Sequence, residues 1–238
     1  MRYLLGNWKM NMSLTKISEY TANIKKINPD VFVGVAVPSV YYGYCYKLKT
    51  KMAVGLQNVS EYTAGAYTGE ISAQMLADTQ ADFCLVGHSE RRQYFGETDE
   101  IVNLKLKQLA TQSILAVLCV GETLQEYESD KTKEVLERQI KIALQGITPQ
   151  TDLVIAYEPV WAIGTGKTAK PEEISEICGF IKNITKEILG REVSVLYGGS
   201  VKSTNSQSII NQPNVDGALV GGASQDAQSF IQILKSFL

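Results

Sequence analysis

The chain has 238 residues, with 23 Lys plus Arg against 25 Asp plus Glu and a formal charge of -2. A fold of this length buries roughly 70 to 75% of the surface its unfolded chain exposes, so it can build a full core unaided. The balanced charge excludes a global basic field for recruiting nucleic acid or an anionic membrane, so any anion has to be held locally.

In chain order, short runs rich in β-branched residues and without polar alternation predict strands at 3–6, 31–37, 52–57, 83–86, 114–120, 153–157, 193–197 and 218–220. Such runs fit strands buried on both faces. Helical spacing lies between them, as in Ile17, Tyr20, Ile24 and Ile27. A later helix is marked by Ile174, Ile177, Ile181, Ile184 and Ile188. Pro171 followed by Glu172 and Glu173 suits its first turn, where a missing amide costs nothing and acids face the positive end of the dipole. Strand and helix alternate throughout, which predicts a closed eight-stranded parallel (β/α)8 barrel of the α/β class. No linker or low-complexity tract divides residues 1–238, so one domain is expected.

The opening run Met1-Arg2-Tyr3-Leu4-Leu5 is too short for a secretion signal, and no later run approaches the ~20 apolar residues of a membrane span. Cys45, Cys84, Cys119 and Cys178 lie far apart, and there is one histidine. A structural metal site therefore has little to use, and a reducing cytoplasm suits the thiols. Two matches to the N-glycosylation pattern, at Asn58 and Asn183, are set aside as chance.

In such a barrel, function collects at the carboxyl ends of the strands. Asn7 and Lys9 follow the first strand, His88-Ser89-Glu90 the fourth and Glu158 the sixth. Gly198-Gly199-Ser200 follows the seventh and Gly221-Gly222 the eighth. Glu158 precedes Pro159, which disfavours helical geometry for it, and its neighbours Ile155, Ala156 and Trp161 would limit its hydration. It is a candidate base, against the alternative of an acid in a structural ion pair. His88 stands where Ser89 and the following amides can begin a short helix; the alternative is a satisfied core or surface imidazole. Asn7 and Lys9 are expected to point the same way by strand periodicity, against a solvated lysine. The two glycine turns expose amides to an anion, against the plainer reading of tight turns.

Gly166-Lys167-Thr168 looks like the end of a phosphate-binding loop, but Trp161 stands where its first glycine belongs. The run Gly164-Thr165-Gly166-Lys167-Thr168-Ala169 imitates a dinucleotide fingerprint, yet it begins well past the strand. Residues 159–170 read better as a lid over the site.

Together, Gly6-Asn7-Trp8-Lys9-Met10-Asn11, Gly87-His88-Ser89-Glu90-Arg91-Arg92, the stretch from Ala156-Tyr157-Glu158-Pro159 to Gly164-Thr165-Gly166, Tyr197-Gly198-Gly199-Ser200 and Gly221-Gly222-Ala223-Ser224 resemble triosephosphate isomerase. They run in the family's order and span essentially the whole chain. The resemblance implies interconversion of dihydroxyacetone phosphate and D-glyceraldehyde 3-phosphate through an enediolate, in glycolysis and gluconeogenesis. Glu158 would move the proton, neutral His88 would hydrogen-bond the carbonyl oxygens, and Lys9 and Asn7 would stabilise charge and help hold the substrate. The amides of Gly164, Ser200, Gly221 and Gly222 would hold the phosphate, with no cofactor and no metal. A homodimer is implied, with Gln57-Asn58 through Gly65-Ala66-Tyr67-Thr68-Gly69-Glu70 as the docking loop. Departures are mild: the chain is a little short, Gln225 stands where the family often has an apolar residue, and Tyr62-Thr63-Ala64 is peculiar to this chain. Two rivals remain in view. One is a metal-dependent phosphosugar epimerase, which a single histidine disfavours. The other is a barrel that binds phosphates without catalysis.

Overall fold

The structure, a computed structural model, describes residues 1–24, 30–48, 52–163 and 168–237. Its strands are β1 (Arg2–Asn7), β2 (Val31–Val37), β3 (Ala53–Leu56), β4 (Phe83–Val86), β5 (Leu115–Val120), β6 (Leu153–Tyr157), β7 (Ser194–Tyr197) and β8 (Gly217–Val220). Each pairs in parallel with its neighbour in sequence, and β8 returns to β1 to close the barrel. Around it run α1 (Leu14–Asn23), α2 (Tyr42–Leu48), α3 (Ala73–Asp78), α4 (Ser89–Phe95), α5 (Asp99–Ala110), α6 (Leu124–Glu128), α7 (Thr132–Ala143), α8 (Pro171–Leu189), α9 (Ser206–Ile210) and α10 (Ala227–Leu234). The predicted barrel is the observed one.

The strands lack polar alternation because both of their faces are buried. In β5, Val117 and Cys119 point into the barrel with Leu5, Phe83, Leu85 and Leu219. Ala116, Leu118 and Val120, on the other face, join the larger apolar shell under the helices. α8 shows how the helices are placed. Ile174, Ile177, Ile181 and Ile184 are buried, Pro171 opens the first turn, and Gly190 closes the helix in a left-handed conformation. Each buried isoleucine contributes ~1.5–3 kcal/mol over exposure. A first-turn charge contributes only ~0.3–1 kcal/mol, so burial sets the helix's position and the caps set its ends. In α1, Ile17 and Tyr20 are buried as the spacing predicts, whereas Ile27 lies outside the described residues.

Strand ends differ from the pattern by about a residue, and β8 shows why. It begins at Gly217, which has no side chain for a hydrophobic pattern to register, yet Gly217 pairs with Tyr3 across the closure. A Cβ on Gly217 would lie 1.9 Å from the Tyr3 carbonyl oxygen. Gly217→Ala should therefore separate β8 from β1 and cost ~1–3 kcal/mol or more, read as a lowered urea midpoint. An unchanged midpoint would refute this account of the closure.

Candidate active site

A cavity of about 230 Å³ opens at the carboxyl ends of the strands. Asn7, Lys9, His88 and Glu158 form one side, and residues 198–202 and 221–223 the other. Thus Asn7, Lys9, His88, Glu158, Ser200, Gly221 and Gly222, far apart in sequence, share one wall-to-wall space. Gly164 lies outside the described residues, as do its neighbours 165–167.

Asn7 and Lys9 reach the cavity by a different route from the one expected. β1 ends at Asn7, and Lys9 adopts φ 53°, so strand alternation does not extend to it. Asn7 Oδ1 accepts the Lys9 amide at 2.9 Å, and the Gln57 side chain donates to the Lys9 carbonyl at 3.0 Å and to the Ala36 carbonyl at 3.1 Å. These bonds hold a left-handed turn that a lysine adopts only at a cost of ~1–3 kcal/mol. The Lys9 ammonium pairs with Glu90, and its stem passes Gly221, where an added Cβ would meet Lys9 Cε at 3.6 Å.

His88 caps α4: its Nδ1 accepts the Glu90 amide at 3.2 Å. An accepting nitrogen carries no proton, so the neutral ring has its N–H on Nε2. That nitrogen faces Glu158 Oε1 at 3.2 Å, while Glu158 Oε2 accepts the Ser89 amide at 3.2 Å. Glu158 is 2% exposed and His88 6%, so both are withdrawn from bulk water while facing the cavity. Burial, and after it the charge of Glu158, push the Cys119 thiol well above its usual range.

The glycine turns are braced from behind. Trp8 Nε1 donates to the Ser224 carbonyl at 3.0 Å, and Ser224 Oγ donates to the Gly221 carbonyl at 2.7 Å. Gln225, where an apolar residue was the family expectation, donates to the Trp8 carbonyl at 3.3 Å. Asn205 donates to the Ser200 carbonyl at 3.0 Å. The turns at residues 200 and 221 are therefore fixed without side chains entering the space, as an anion held by amides requires.

Several contributors were given no role by sequence reasoning, although Glu90, Arg91 and Arg92 stand in the motif at 87–92. Glu90 holds Lys9 with its carboxylate and sets the His88 tautomer with its amide. Behind α4, buried Glu97 pairs with Arg91 and with buried Lys105, and Lys105 also donates to Asn58 at 2.8 Å. Arg92 donates to the Gly87 and Cys119 carbonyls and pairs with Asp99. The two arginines thus brace the helix that carries His88. The distant partners, Lys9 for Glu90, Asn58 for Lys105 and Cys119 for Arg92, leave no local signal for these roles. Among the described residues, no group of three His, Cys, Asp or Glu side chains is arranged to hold a metal ion, and no helix is long and apolar enough to cross a membrane.

A closed (β/α)8 barrel with a buried carboxylate, an imidazole and an ammonium facing glycine turns defines an enzyme of the barrel class. A family model described as triosephosphate isomerase matches residues 2–237. The chain is 46% identical to a triosephosphate isomerase of Mesomycoplasma hyorhinis, covering 97% of this chain and 96% of the relative. It is 42% identical to one of Chloroherpeton thalassium, with 99% and 98% covered, and 44% identical to one of Alkaliphilus metalliredigens, with 98% of each covered. The chain belongs to the triosephosphate isomerase family.

Two residues past the end of β5, Glu122 is fully buried and accepts from Trp161 Nε1 at 2.8 Å and from the Tyr157 hydroxyl at 3.1 Å. Burial raises its carboxyl above the ordinary value, and these hydrogen bonds only partly offset it. A carboxyl whose folded value is raised stabilises the fold below its unfolded value, near 4.5, and loses that contribution as pH rises through the folded value. Glu122→Gln removes the titration. The thermal midpoint of the variant minus that of the wild type should therefore increase as pH rises above 4.5. A difference independent of pH would sink this reading of Glu122.

Proposed function

We propose that Glu158 is the base, His88 the hydrogen-bonding electrophile, and Lys9 and Asn7 the charge-stabilising groups in the reaction of this family, the interconversion of dihydroxyacetone phosphate and D-glyceraldehyde 3-phosphate. The observation that carries the assignment is the His88 tautomer. Nδ1 is occupied by the Glu90 amide, which leaves the Nε2 proton facing both the cavity and Glu158.

The substrate phosphate sits on the amides of Ser200, Gly221 and Gly222, and the resemblance to the family adds the amide of Gly164, which lies outside the described residues. Lys9 runs past Gly221, so its charge reaches both the phosphate and the reacting carbons. Glu158 exchanges its bond to the Ser89 amide and its contact with His88 for the substrate and takes a proton from the carbon beside the carbonyl. The electron pair of that C–H bond forms the enediolate double bond, and the carbonyl oxygen becomes an oxyanion. His88 donates from Nε2 to this oxygen, and Lys9 offsets the remaining charge. Glu158 then returns its proton to the former carbonyl carbon, using the electron pair of the enediolate double bond, while the proton of the first hydroxyl passes by way of His88 to the former carbonyl oxygen and the O–H pair it leaves forms the new carbonyl. Atoms and electrons balance within the substrate, so a positioned base and donor suffice. The pair of groups facing a phosphate-sized grip favours this reading over a silent phosphate-binding barrel.

Three wider readings belong with it. Residues 1–238 form one barrel domain, supported by strands ordered in sequence and by the match over residues 2–237. A cytoplasmic location is supported by four free, buried thiols, of which burial pushes Cys45 up to about 11 and Cys178 up to about 12. The enzyme is a homodimer. In support, Met10 is 96% and Phe95 68% exposed beside a second cavity that also includes Lys9, Gln57 and Arg91. In the docking loop, Tyr62 and Tyr67 stack at 3.8 Å with half-exposed rings. A second copy would cover these surfaces next to Lys9.

Glu158→Asp should fold yet lose on the order of 10²-fold in turnover, because one missing methylene retracts the base by about an ångström. A near-normal rate would remove Glu158 from the mechanism. Lys9→Met should raise KM and lower kcat together, since the ammonium serves ground and transition states alike; wild-type kinetics would return Lys9 to a solvated role. Sedimentation should find twice the chain mass, and a monomer at micromolar concentration contradicts the dimer.

A further inference from the structure

We propose that Gln139 is a positioning residue for proton transfer: its buried side-chain amide clamps Gly121 against the main chain of Glu158. The proposal rests on the assignment of Glu158 as the base. On α7 the other inward residues are apolar, namely Val135, Leu136, Ile140 and Ala143. Gln139 breaks that pattern although it is only 5% exposed. Its Oε1 accepts the Gly121 amide at 2.9 Å, and its Nε2 donates to the Gly121 carbonyl at 3.1 Å. One side chain thus satisfies both polar groups of one backbone residue, as a neighbouring strand would.

Gly121, the residue after β5, is where the chain presses on the main chain of Glu158. An added Cβ there would lie 1.8 Å from the Glu158 carbonyl oxygen. On either side of it the two chains are bonded: the Glu158 amide donates to Val120 at 2.7 Å, and the Val160 amide donates to Glu122 at 3.0 Å. A shift of Gly121 therefore moves the backbone from which the Glu158 carboxylate hangs. On the side of α7, a cavity of about 700 Å³ lies among Gln139, Gly121, Ser89 and Val160. Ser89, whose amide holds the resting carboxylate, borders the same space. A leucine would suit a packed helix face better, since burying an amide gains little stability even when both its bonds are made. What the amide adds is a fixed place for Gly121.

Gln139→Leu keeps the bulk and removes both bonds. The expected result is a fall in kcat of about tenfold, the scale of a sub-ångström misplacement of a reacting group, with KM changed less than about twofold. Inhibition by 2-phosphoglycolate, whose carboxylate must meet the base, should weaken by a similar factor, while inhibition by inorganic phosphate should not. Gln139→Glu supplies the rescue. A protonated carboxyl carries one donor and one acceptor and can replace the amide, whereas the ionised form faces the Gly121 carbonyl without a donor. Its kcat relative to wild type should rise as pH falls, and this readout remains if the leucine variant does not fold. Wild-type kcat in Gln139→Leu, equal losses in the binding of both inhibitors, or a pH-independent ratio for Gln139→Glu each overturns the proposal. Glu158→Asp assayed in parallel separates the two failures. If it loses turnover and Gln139→Leu does not, Gln139 alone is refuted; if it turns over normally, the base assignment falls first.

Discussion

A carboxylate that is 2% exposed must be met by hydrogen-bond donors, and the arrangement of the barrel mouth depends on how that need is met for Glu158. An unpaired buried charge costs several kcal/mol, more than any single cap or surface ion pair in the chain can offset. Here the Ser89 amide donates to one carboxylate oxygen, and Nε2 of His88 stands 3.2 Å from the other, both at the start of α4. The ring can act as a donor because the next amide in the same helix turn occupies its other nitrogen. Glu158 and the imidazole that faces it are thus set by one helix terminus, and a displacement of α4 disturbs both.

This explains the buried charges behind that helix. Lys105 is 2% and Glu97 7% exposed, and burial of such pairs contributes little net stability compared with apolar residues of similar size. Their effect is positional. Arg91 joins Glu97, Arg92 spans the Gly87 and Cys119 carbonyls, and together they tie α4 to the ends of β4 and β5. Glu90 extends the same set forward to Lys9, whose left-handed backbone is held by Asn7 and Gln57. The charges at the mouth form a connected set that runs from β1 to β6, so the positions of Lys9, His88 and Glu158 depend on one another.

Legibility in the sequence follows the range of the interaction responsible. The strand runs could be read because burial on both faces writes itself into consecutive residues, as in Leu153–Tyr157. Gly217 could not, because its pairing with Tyr3 leaves no side-chain trace. The convergence of Asn7 and Lys9 was anticipated by strand periodicity, although a turn brings it about. Glu97, Glu122 and Gln139 read as ordinary helix or loop polar residues until their partners, which come from other elements, are beside them.

By itself, then, the sequence determined the alternation of buried strands and amphipathic helices, the placement of Glu158, His88, Lys9 and the two glycine turns at strand ends, and the motifs shared with the family. These are local properties, encoded by residues within one turn or one strand of each other. Only the tertiary structure decided that Nδ1 of His88 is occupied, that Glu158 rests between Ser89 and His88, and that Lys9 bends back through a strained turn toward Gly221. The first is a contact within the α4 terminus, whereas Glu158 meets Ser89 and His88 at 3.2 Å across elements. Such distances follow from barrel closure and the packing of α4 and α7, which no local pattern specifies.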